Sequence, residues 1–248
     1  MILHHVIDGT GRPVVLLHPV GLDLTFLQPL AARLASHCRV MRMDLRGHGR
    51  SPLTPLARGL EDFADDVHET LVHEGFAPCA VVGFSFGGMV AQTLALRHPH
   101  AVAALVACAC PGTLAPENRV IARARGEDAE RGGMGAVLEA TLERWFTAPF
   151  RAQGGDAAAR ARLLSDDPHG WAQGWRAIAA IDNLSRLASL RVPALCIAGE
   201  LDKSSPPHIV QAIAETIPGA RFRVIPGAPH MLFIEQPQAV AREILAFL

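Results

Sequence analysis

Tyrosine is absent from this 248-residue chain, and aromatic residues of all kinds make up only 5% of it. The hydroxyl or carboxylate group of a ligand would therefore be met by serine, threonine, tryptophan, histidine, arginine or backbone groups. An excess of charge of either sign is also missing, because the formal net charge is −1. This balance provides no overall field for nucleic acid or an anionic membrane surface, so we expect a small-molecule partner and neither of those two.

Cysteines and long apolar stretches are scarce as well. The five cysteines are an odd number, and Cys108-Ala109-Cys110 lacks the two-residue gap of a redox or zinc pair, so we expect no disulfide, metal or other cofactor. Residues 101–109 form the longest apolar run, which is too short to span a bilayer. Residues 1–5 contain no basic segment that leads into an apolar one, as a signal peptide would. These absences favour a cytoplasmic protein and leave its oligomeric state open.

Short apolar runs alternate with segments of helical spacing up to residue 112 and again after residue 191. Strand, helix and strand in alternation predict an α/β fold with a mostly parallel, doubly wound sheet that helices cover on both faces. The predicted strands are residues 2–7, 14–17, 39–43, 79–82, 102–107, 194–198 and 222–225. The predicted helices include residues 26–36, 60–74, 207–216 and 237–248.

The alternation stops between residues 113 and 191, where helical spacing continues without a strand-like run. All three tryptophans of the chain lie in this segment. Because ligands enter open α/β folds at the carboxyl edge of the sheet, we expect this segment to be a helical lid over that edge. The domain prediction is a core of residues 1–112 and 192–248 with a cap of residues 113–191. A helical extension packed elsewhere, with the tryptophans as its own core, is the alternative.

The segment 80–90 combines a buried-strand pattern, the pentapeptide Gly83-Phe84-Ser85-Phe86-Gly87 and a helical pattern. Strand, Gly-x-Ser-x-Gly and helix in this order predict a serine nucleophile on a tight corner. The backbone of Ser85 must then adopt a sparsely populated conformation, and the glycines two before and two after it let strand and helix pass. The alternative is a turn of small residues without chemistry.

A serine hydroxyl needs an imidazole to take its proton and a carboxylate to hold the imidazole. Asp202 follows a predicted strand and is the preferred acid, with Glu200 as its rival. His230 lies in the loop between the last predicted strand and the last helix. The order Ser85, Asp202, His230 is the one in which such triads occur on this kind of sheet.

The loop that begins at His18-Pro19 is the candidate for the oxyanion hole. Pro19 has no N–H, so the predicted donors are the Val20 N–H and the Phe86 N–H after the nucleophile. His18 is interpreted as a residue that shapes this loop. Arg46 and His48 follow the third predicted strand, and a structural role is favoured for them over substrate binding.

These motifs together resemble the α/β-hydrolase superfamily over nearly the whole chain. They are Gly-Phe-Ser-Phe-Gly-Gly around Ser85, Gly-Glu-Leu-Asp ending at Asp202, Ala-Pro-His-Met around His230 and Asp-Leu-Arg-Gly-His-Gly-Arg-Ser at residues 44–51. Residues 20–23, 87–90 and 144–147 resemble 3-oxoadipate enol-lactonases, although His18-Pro19 stands where those enzymes usually have a different pair. The resemblance implies an α/β-hydrolase fold and the opening of a small lactone that carries a carboxylate.

We therefore expect a serine-dependent hydrolase of a small carboxylic ester or lactone. If the substrate is anionic, Arg144 or Arg176 is expected to hold its carboxylate and Trp145 to form an apolar wall. Carbon–carbon bond hydrolysis and cofactor-free perhydrolase or haloperoxidase activity on the same triad remain open. A non-catalytic small-molecule receptor on this fold is a further alternative, which the intact set of three side chains disfavours.

Overall fold

The computed structural model describes residues 1–248, in which seven strands and eleven α-helices form. The strands are β1 (His5–Asp8), β2 (Arg12–Leu17), β3 (Cys38–Met43), β4 (Cys79–Phe84), β5 (Val102–Cys108), β6 (Ala194–Gly199) and β7 (Arg221–Ile225). The helices are α1 (Gln28–Leu34), α2 (Leu60–His73), α3 (Phe86–Arg97), α4 (Pro116–Gly132), α5 (Gly135–Trp145), α6 (Ala148–Ala152), α7 (Ala157–Leu164), α8 (Pro168–Ala179), α9 (Pro207–Thr216), α10 (Leu232–Glu235) and α11 (Pro237–Phe247).

All strands belong to one sheet in the order β1-β3-β2-β4-β5-β6-β7. Only β1 is antiparallel to its neighbour, and every other adjacent pair is parallel. The predicted class, a mostly parallel α/β sheet, is confirmed. The carboxyl ends of the parallel strands meet at one edge, so the loops after β2, β4, β6 and β7 open together.

The central strands β4, β5 and β6 contain no charged residue, and helices cover both faces of the sheet. Residues 14–17 of β2 and every residue of β4 are buried. The predicted helix 26–36 differs from the structure, in which a 3-10 helix, Leu24–Leu27, precedes the shorter α1. The side chain of Asp23 accepts a hydrogen bond from the Thr25 N–H and so starts the turn earlier than hydrophobic spacing indicates.

The five helices α4–α8, here called the helical cap, lie between β5 and β6 and are joined at their base. The Asn183 N–H donates to the Gly112 carbonyl at 2.8 Å, and Thr113 pairs with Asp182 in an isolated antiparallel bridge. The Asn183 side chain also donates to Thr93 Oγ1 on α3 at 2.9 Å. The two ends of the cap therefore meet beside the helix that follows Ser85.

No helix of the structure has the length and apolar character needed to cross a membrane.

Candidate active site

Ser85 lies at the corner between β4 and α3 with φ 52° and ψ −115°, a conformation that side-chain-bearing residues rarely adopt. Its N–H donates to the Cys108 carbonyl of β5 at 2.8 Å, which fixes the corner. A Cβ atom at Gly83 would lie 2.1 Å from the Gly87 carbonyl oxygen, and one at Gly87 would lie 2.3 Å from the Leu17 carbonyl oxygen. The structure confirms that both positions must lack a side chain.

Three side chains from separate loops form one hydrogen-bonded chain at the carboxyl edge of the sheet. His230 Nε2 is 2.9 Å from Ser85 Oγ, and His230 Nδ1 is 2.8 Å from Asp202 Oδ2. The three residues follow β4, β6 and β7, so each comes from the end of a different parallel strand. Residues that the sequence pattern assigned to one site are in direct contact here.

Asp202 is held as an anion although it is buried. Burial raises its pKa, but the His230 ring and the N–H groups of Ser205 and Ser204 outweigh burial, so the pKa of Asp202 lies below its usual value. Its Oδ1 accepts from those two N–H groups at 2.9 and 2.7 Å. The carboxylate therefore accepts a hydrogen bond from His230 Nδ1–H, which leaves the Nε2 lone pair facing the Ser85 hydroxyl.

The rival carboxylate, Glu200, has a different task. Its side chain is exposed and accepts a hydrogen bond from the Gly227 N–H at 2.7 Å. Glu200 therefore supports the loop between β7 and His230 and does not touch the imidazole.

Two backbone N–H groups beside Ser85 are available as donors. The Val20 N–H makes no hydrogen bond within the protein. Phe86 is the first residue of α3, so its N–H has no acceptor within the helix. The positive end of the helix dipole lies at the same point, which favours negative charge there.

His18 is fully buried and is fixed in one tautomer. The Leu45 N–H donates to His18 Nε2 at 2.9 Å, so the proton of the neutral ring is on Nδ1, which donates to the Pro19 carbonyl at 2.7 Å. Burial lowers the pKa of His18, which keeps the ring neutral. His18 thus ties the first residues of the Val20 loop to the loop after β3, in agreement with its predicted role.

Arg46 and His48 are buried, and both have structural contacts. The Arg46 guanidinium binds both oxygens of Asp66 on α2, at 2.6 and 2.7 Å. His48 Nδ1 is 2.9 Å from the Arg46 carbonyl oxygen, and burial next to His18 lowers the pKa of His48 to about 3. These contacts hold the loop after β3 against the core.

A cleft of about 520 Å³ opens above Ser85 and His230, between the sheet edge and the helical cap. Its lining contains three cationic side chains and no aspartate or glutamate. The cations are Arg125, Arg144 and Lys203. The cleft therefore has a positive lining in a chain whose net charge is close to zero.

Arg125 and Arg144 are the half-buried cations of this cleft, and neither has a carboxylate partner within the protein. Burial and then the neighbouring Arg144 lower the pKa of Arg125 to about 10, and burial lowers the pKa of Arg144. The Arg125 guanidinium lies 4.8 Å from the centroid of the Trp175 ring. Two unpaired, adjacent guanidinium groups in a cleft favour an anionic ligand.

Of the three residues predicted to bind substrate, two line the cleft and one lies outside it. Arg144 and Trp145 line the cleft, and their contact with a substrate stays a prediction. Arg176 lies outside it, on the other side of α8, where its guanidinium is 2.5 Å from a carboxylate oxygen of Glu130, so this prediction is corrected. Arg125 was missed, because spacing along α4 does not tell which helix face meets the cleft.

The cysteines and the other residues that can ligate metals form no group suited to a metal ion. All five cysteines are buried free thiols, and no group of three or more His, Cys, Asp or Glu side chains has the geometry to hold a metal ion.

Comparison with known proteins identifies the family. The model of the alpha/beta hydrolase family matches residues 14–243. The chain is 30% identical over 227 residues to 3-oxoadipate enol-lactonase 1 from Acinetobacter baylyi, which covers 91% of this chain and 84% of that protein. It is 31% identical over 248 residues to polyketide synthase ThaQ from Burkholderia thailandensis, which covers 97% of this chain, but it spans only 12% of that protein.

A solved structure shows the same fold. The crystal structure of the enol-lactonase from Burkholderia xenovorans LB400 superposes with a TM-score of 0.92 and 32% sequence identity, over 99% of this chain and 95% of that chain. The family match over most of the chain, together with this superposition, shows that the protein belongs to the alpha/beta hydrolase family and is an enzyme of that family.

Proposed function

We propose that the protein hydrolyses a small carboxylic ester or lactone through an acyl-enzyme on Ser85. The observation that carries this proposal is the hydrogen-bonded chain from Ser85 through His230 to Asp202 at the floor of the cleft. Similarity to enol-lactonases supports a lactone as substrate.

In the proposed first step His230 Nε2 takes the proton of the Ser85 hydroxyl while Oγ attacks the carbonyl carbon. The bond from that carbon to the leaving oxygen then breaks, and the leaving oxygen takes the proton from His230. A water molecule next attacks the acyl-enzyme, and His230 again moves its proton, this time to Ser85 Oγ. An ester gives free Ser85, a carboxylic acid and a separate alcohol or enol, whereas a lactone gives free Ser85 and one molecule that carries both groups.

Negative charge develops on the carbonyl oxygen in both steps, and the N–H groups of Val20 and Phe86 are the proposed donors to it. Asp202 stabilises the positive charge that His230 acquires at the same time. Loss of one such backbone or side-chain donor costs about 2.7–4 kcal/mol of transition-state free energy in other enzymes. The donors therefore supply a large part of the proposed rate acceleration.

The substrate is proposed to carry a carboxylate that Arg125 and Arg144 hold. Both guanidinium groups line the cleft and lack a carboxylate partner, and planar guanidinium groups match a carboxylate with two parallel hydrogen bonds. Trp145 and Trp175 line the cleft next to them and provide apolar walls for the carbon skeleton.

Replacement of the nucleophile tests the proposal. Ser85→Ala should lower kcat for an enol-lactone by on the order of 10⁴-fold or more, because no acyl-enzyme can form. The variant should keep its melting temperature. Steady-state hydrolysis of enol-lactones, p-nitrophenyl esters and vinylogous diketones gives the rates and ranks the substrate classes.

Ser189→Ala is the matched control, since the exposed Ser189 hydroxyl contacts only the Arg186 carbonyl. It should leave kcat unchanged. A Ser85→Ala protein that turns over the preferred substrate at the wild-type rate contradicts the proposed mechanism.

A further inference from the structure

The oxyanion loop, residues 18–23, is held at both of its ends. At the first end His18 binds the Leu45 N–H and the Pro19 carbonyl. At the other end Asp23 Oδ1 accepts from the Thr25 N–H at 2.9 Å and begins the 3-10 helix Leu24–Leu27. The second oxygen of Asp23 is not needed for this cap.

That second oxygen faces the helical cap. Asp23 Oδ2 lies 3.1 Å from Arg162 Nε on α7. The same guanidinium lies 2.5 Å from Asp166 Oδ1 in the loop before α8. The Asp166 side chain is only 5% exposed and those of Asp23 and Arg162 are 13% and 20% exposed, so water screens this row of three ionisable groups poorly.

Cap residues also press directly on the loop. A Cβ atom at Gly21, which has φ +75°, would lie 2.5 Å from the Trp171 ring and 2.7 Å from a methyl carbon of Leu163. A Cβ atom at Gly174 would lie 2.7 Å from a Val20 methyl carbon. The outer side of the oxyanion loop is therefore packed against α7 and α8 without spare room.

We propose that Arg162 is a positioning residue for hydrolysis: from the helical cap it holds Asp23, and through Asp23 it fixes the loop conformation that presents the Val20 N–H to the oxyanion. The proposal rests on the proposed function of Val20 as a donor. It means that the oxyanion hole is complete only when α7 is seated on the core. A shift of the helical cap away from the core would then also weaken the stabilisation of the transition state.

Substitution of Arg162 should change turnover more than substrate binding. Arg162→Met should lower kcat about tenfold with a change in KM below about twofold, because a displaced donor loses less than the 10²–10³-fold of a deleted one. The rate at which a fluorophosphonate labels Ser85 should fall in parallel, because the phosphonyl oxygen occupies the same donors. Arg162→Lys, which keeps the charge, should recover part of the loss.

Arg160→Met is the matched control. Arg160 lies on the same helix and pairs with Glu139 and Asp156, away from the oxyanion loop. The Arg160→Met variant loses an ion-paired arginine of α7 and should keep the wild-type kcat. Its melting temperature shows how much stability the loss of such an ion pair costs.

Asp23→Asn separates positioning from folding, since asparagine keeps the oxygen that caps Thr25 and leaves Arg162 paired with Asp166. It should reproduce the kcat loss of Arg162→Met, and the double variant should lose no more than either single variant. If Arg162→Met fails to fold, the kcat of Asp23→Asn alone tests the proposal.

The proposal would be overturned if Arg162→Met and Asp23→Asn had the same kcat as Arg160→Met. It would also be overturned if the kcat losses of the two single variants added in the double variant, or if the substitutions changed KM alone. Failure of the proposed function would be seen separately, as wild-type activity that survives Ser85→Ala.

Discussion

Ser85 occupies a backbone conformation that costs free energy, and close packing of its neighbours holds the corner in it. Positions 83 and 87 face carbonyl oxygens so closely that no side chain fits, and a Cβ atom at Gly88 would lie 2.6 Å from Cys110 Sγ. The strain at the proposed nucleophile is therefore maintained by the packing of three glycines.

Gly87→Ala should lower the free energy of unfolding by about 1–3 kcal/mol or more, because its Cβ atom meets the Leu17 carbonyl at 2.3 Å and backbone must shift. Activity should fall with it, since Leu17 leads into the oxyanion loop. Urea denaturation and steady-state kinetics measure both effects.

Gly135→Ala is the comparison for that measurement. Gly135 begins α5, and a Cβ atom there meets nothing within 4 Å. The substitution should be neutral or slightly stabilising. Equal unfolding free energies for both variants would refute the steric account of Gly87.

At the scale of elements, the contacts between cap and core involve both the oxyanion loop and the histidine loop. The Met231 N–H, next to His230, donates to the Trp145 carbonyl at the end of α5 at 3.0 Å. Glu235 on α10 accepts from the N–H and the hydroxyl of Thr147, both at 2.8 Å. The loops that carry the proposed catalytic groups are therefore in contact with the helical cap.

Asp166, between α7 and α8, pairs with Arg162 and makes the contact of α7 with the oxyanion loop sensitive to pH. Burial raises its pKa from 3.8 to about 7, Arg162 opposes the rise, and the negative charges of Asp23 and Asp167 add to it. A carboxyl group with a raised pKa favours folding below its unfolded value near pH 4, and this contribution is lost as pH rises through about 7.

The free energy of unfolding of the wild type, relative to Asp166→Asn, should therefore decrease between about pH 4 and pH 8. The asparagine cannot ionise, so subtraction removes the other titrating groups that both proteins share. Urea denaturation at several pH values measures the difference. A difference that is constant with pH, or that grows as pH rises, would contradict this reading of Asp166.

Elements differ in how far the sequence could predict them. The buried strands, and the meeting of residues 85, 202 and 230 at one edge of the sheet, were predictable. Apolar runs mark buried parallel strands, and the carboxyl ends of such strands share one edge. The split of helix 26–36 was not, because it depends on the side chain of Asp23. The inward face of α4, and hence Arg125, depends on tertiary packing that periodicity does not specify.

At the scale of the whole molecule, a nearly neutral protein concentrates positive charge in one cleft. Low-dielectric walls focus the field of Arg125 and Arg144, which no acidic residue of the lining offsets. We therefore expect this cleft to select substrates by charge as well as by shape.

Arg125→Met and Arg144→Met should each lower kcat/KM for a carboxylate-bearing lactone by about tenfold or more, because a hydrogen bond to a charged group contributes about 1.5–3 kcal/mol. Rates with a neutral p-nitrophenyl ester should change little. Arg176→Met, which removes an arginine outside the cleft, should leave both substrates unaffected. Equal losses for charged and neutral substrates would argue against a carboxylate anchor.

The closed base of the helical cap has an evolutionary consequence. Because Gly112 and Asn183 are hydrogen-bonded to each other, the helical cap begins and ends at nearly the same point of the core. A segment of another length or sequence could be exchanged between these two residues without a change of strand register. Such an arrangement lets a lineage acquire new substrate preferences by remodelling one insertion, provided that the contacts of α5 and α7 with the loops of His230 and Val20 are kept.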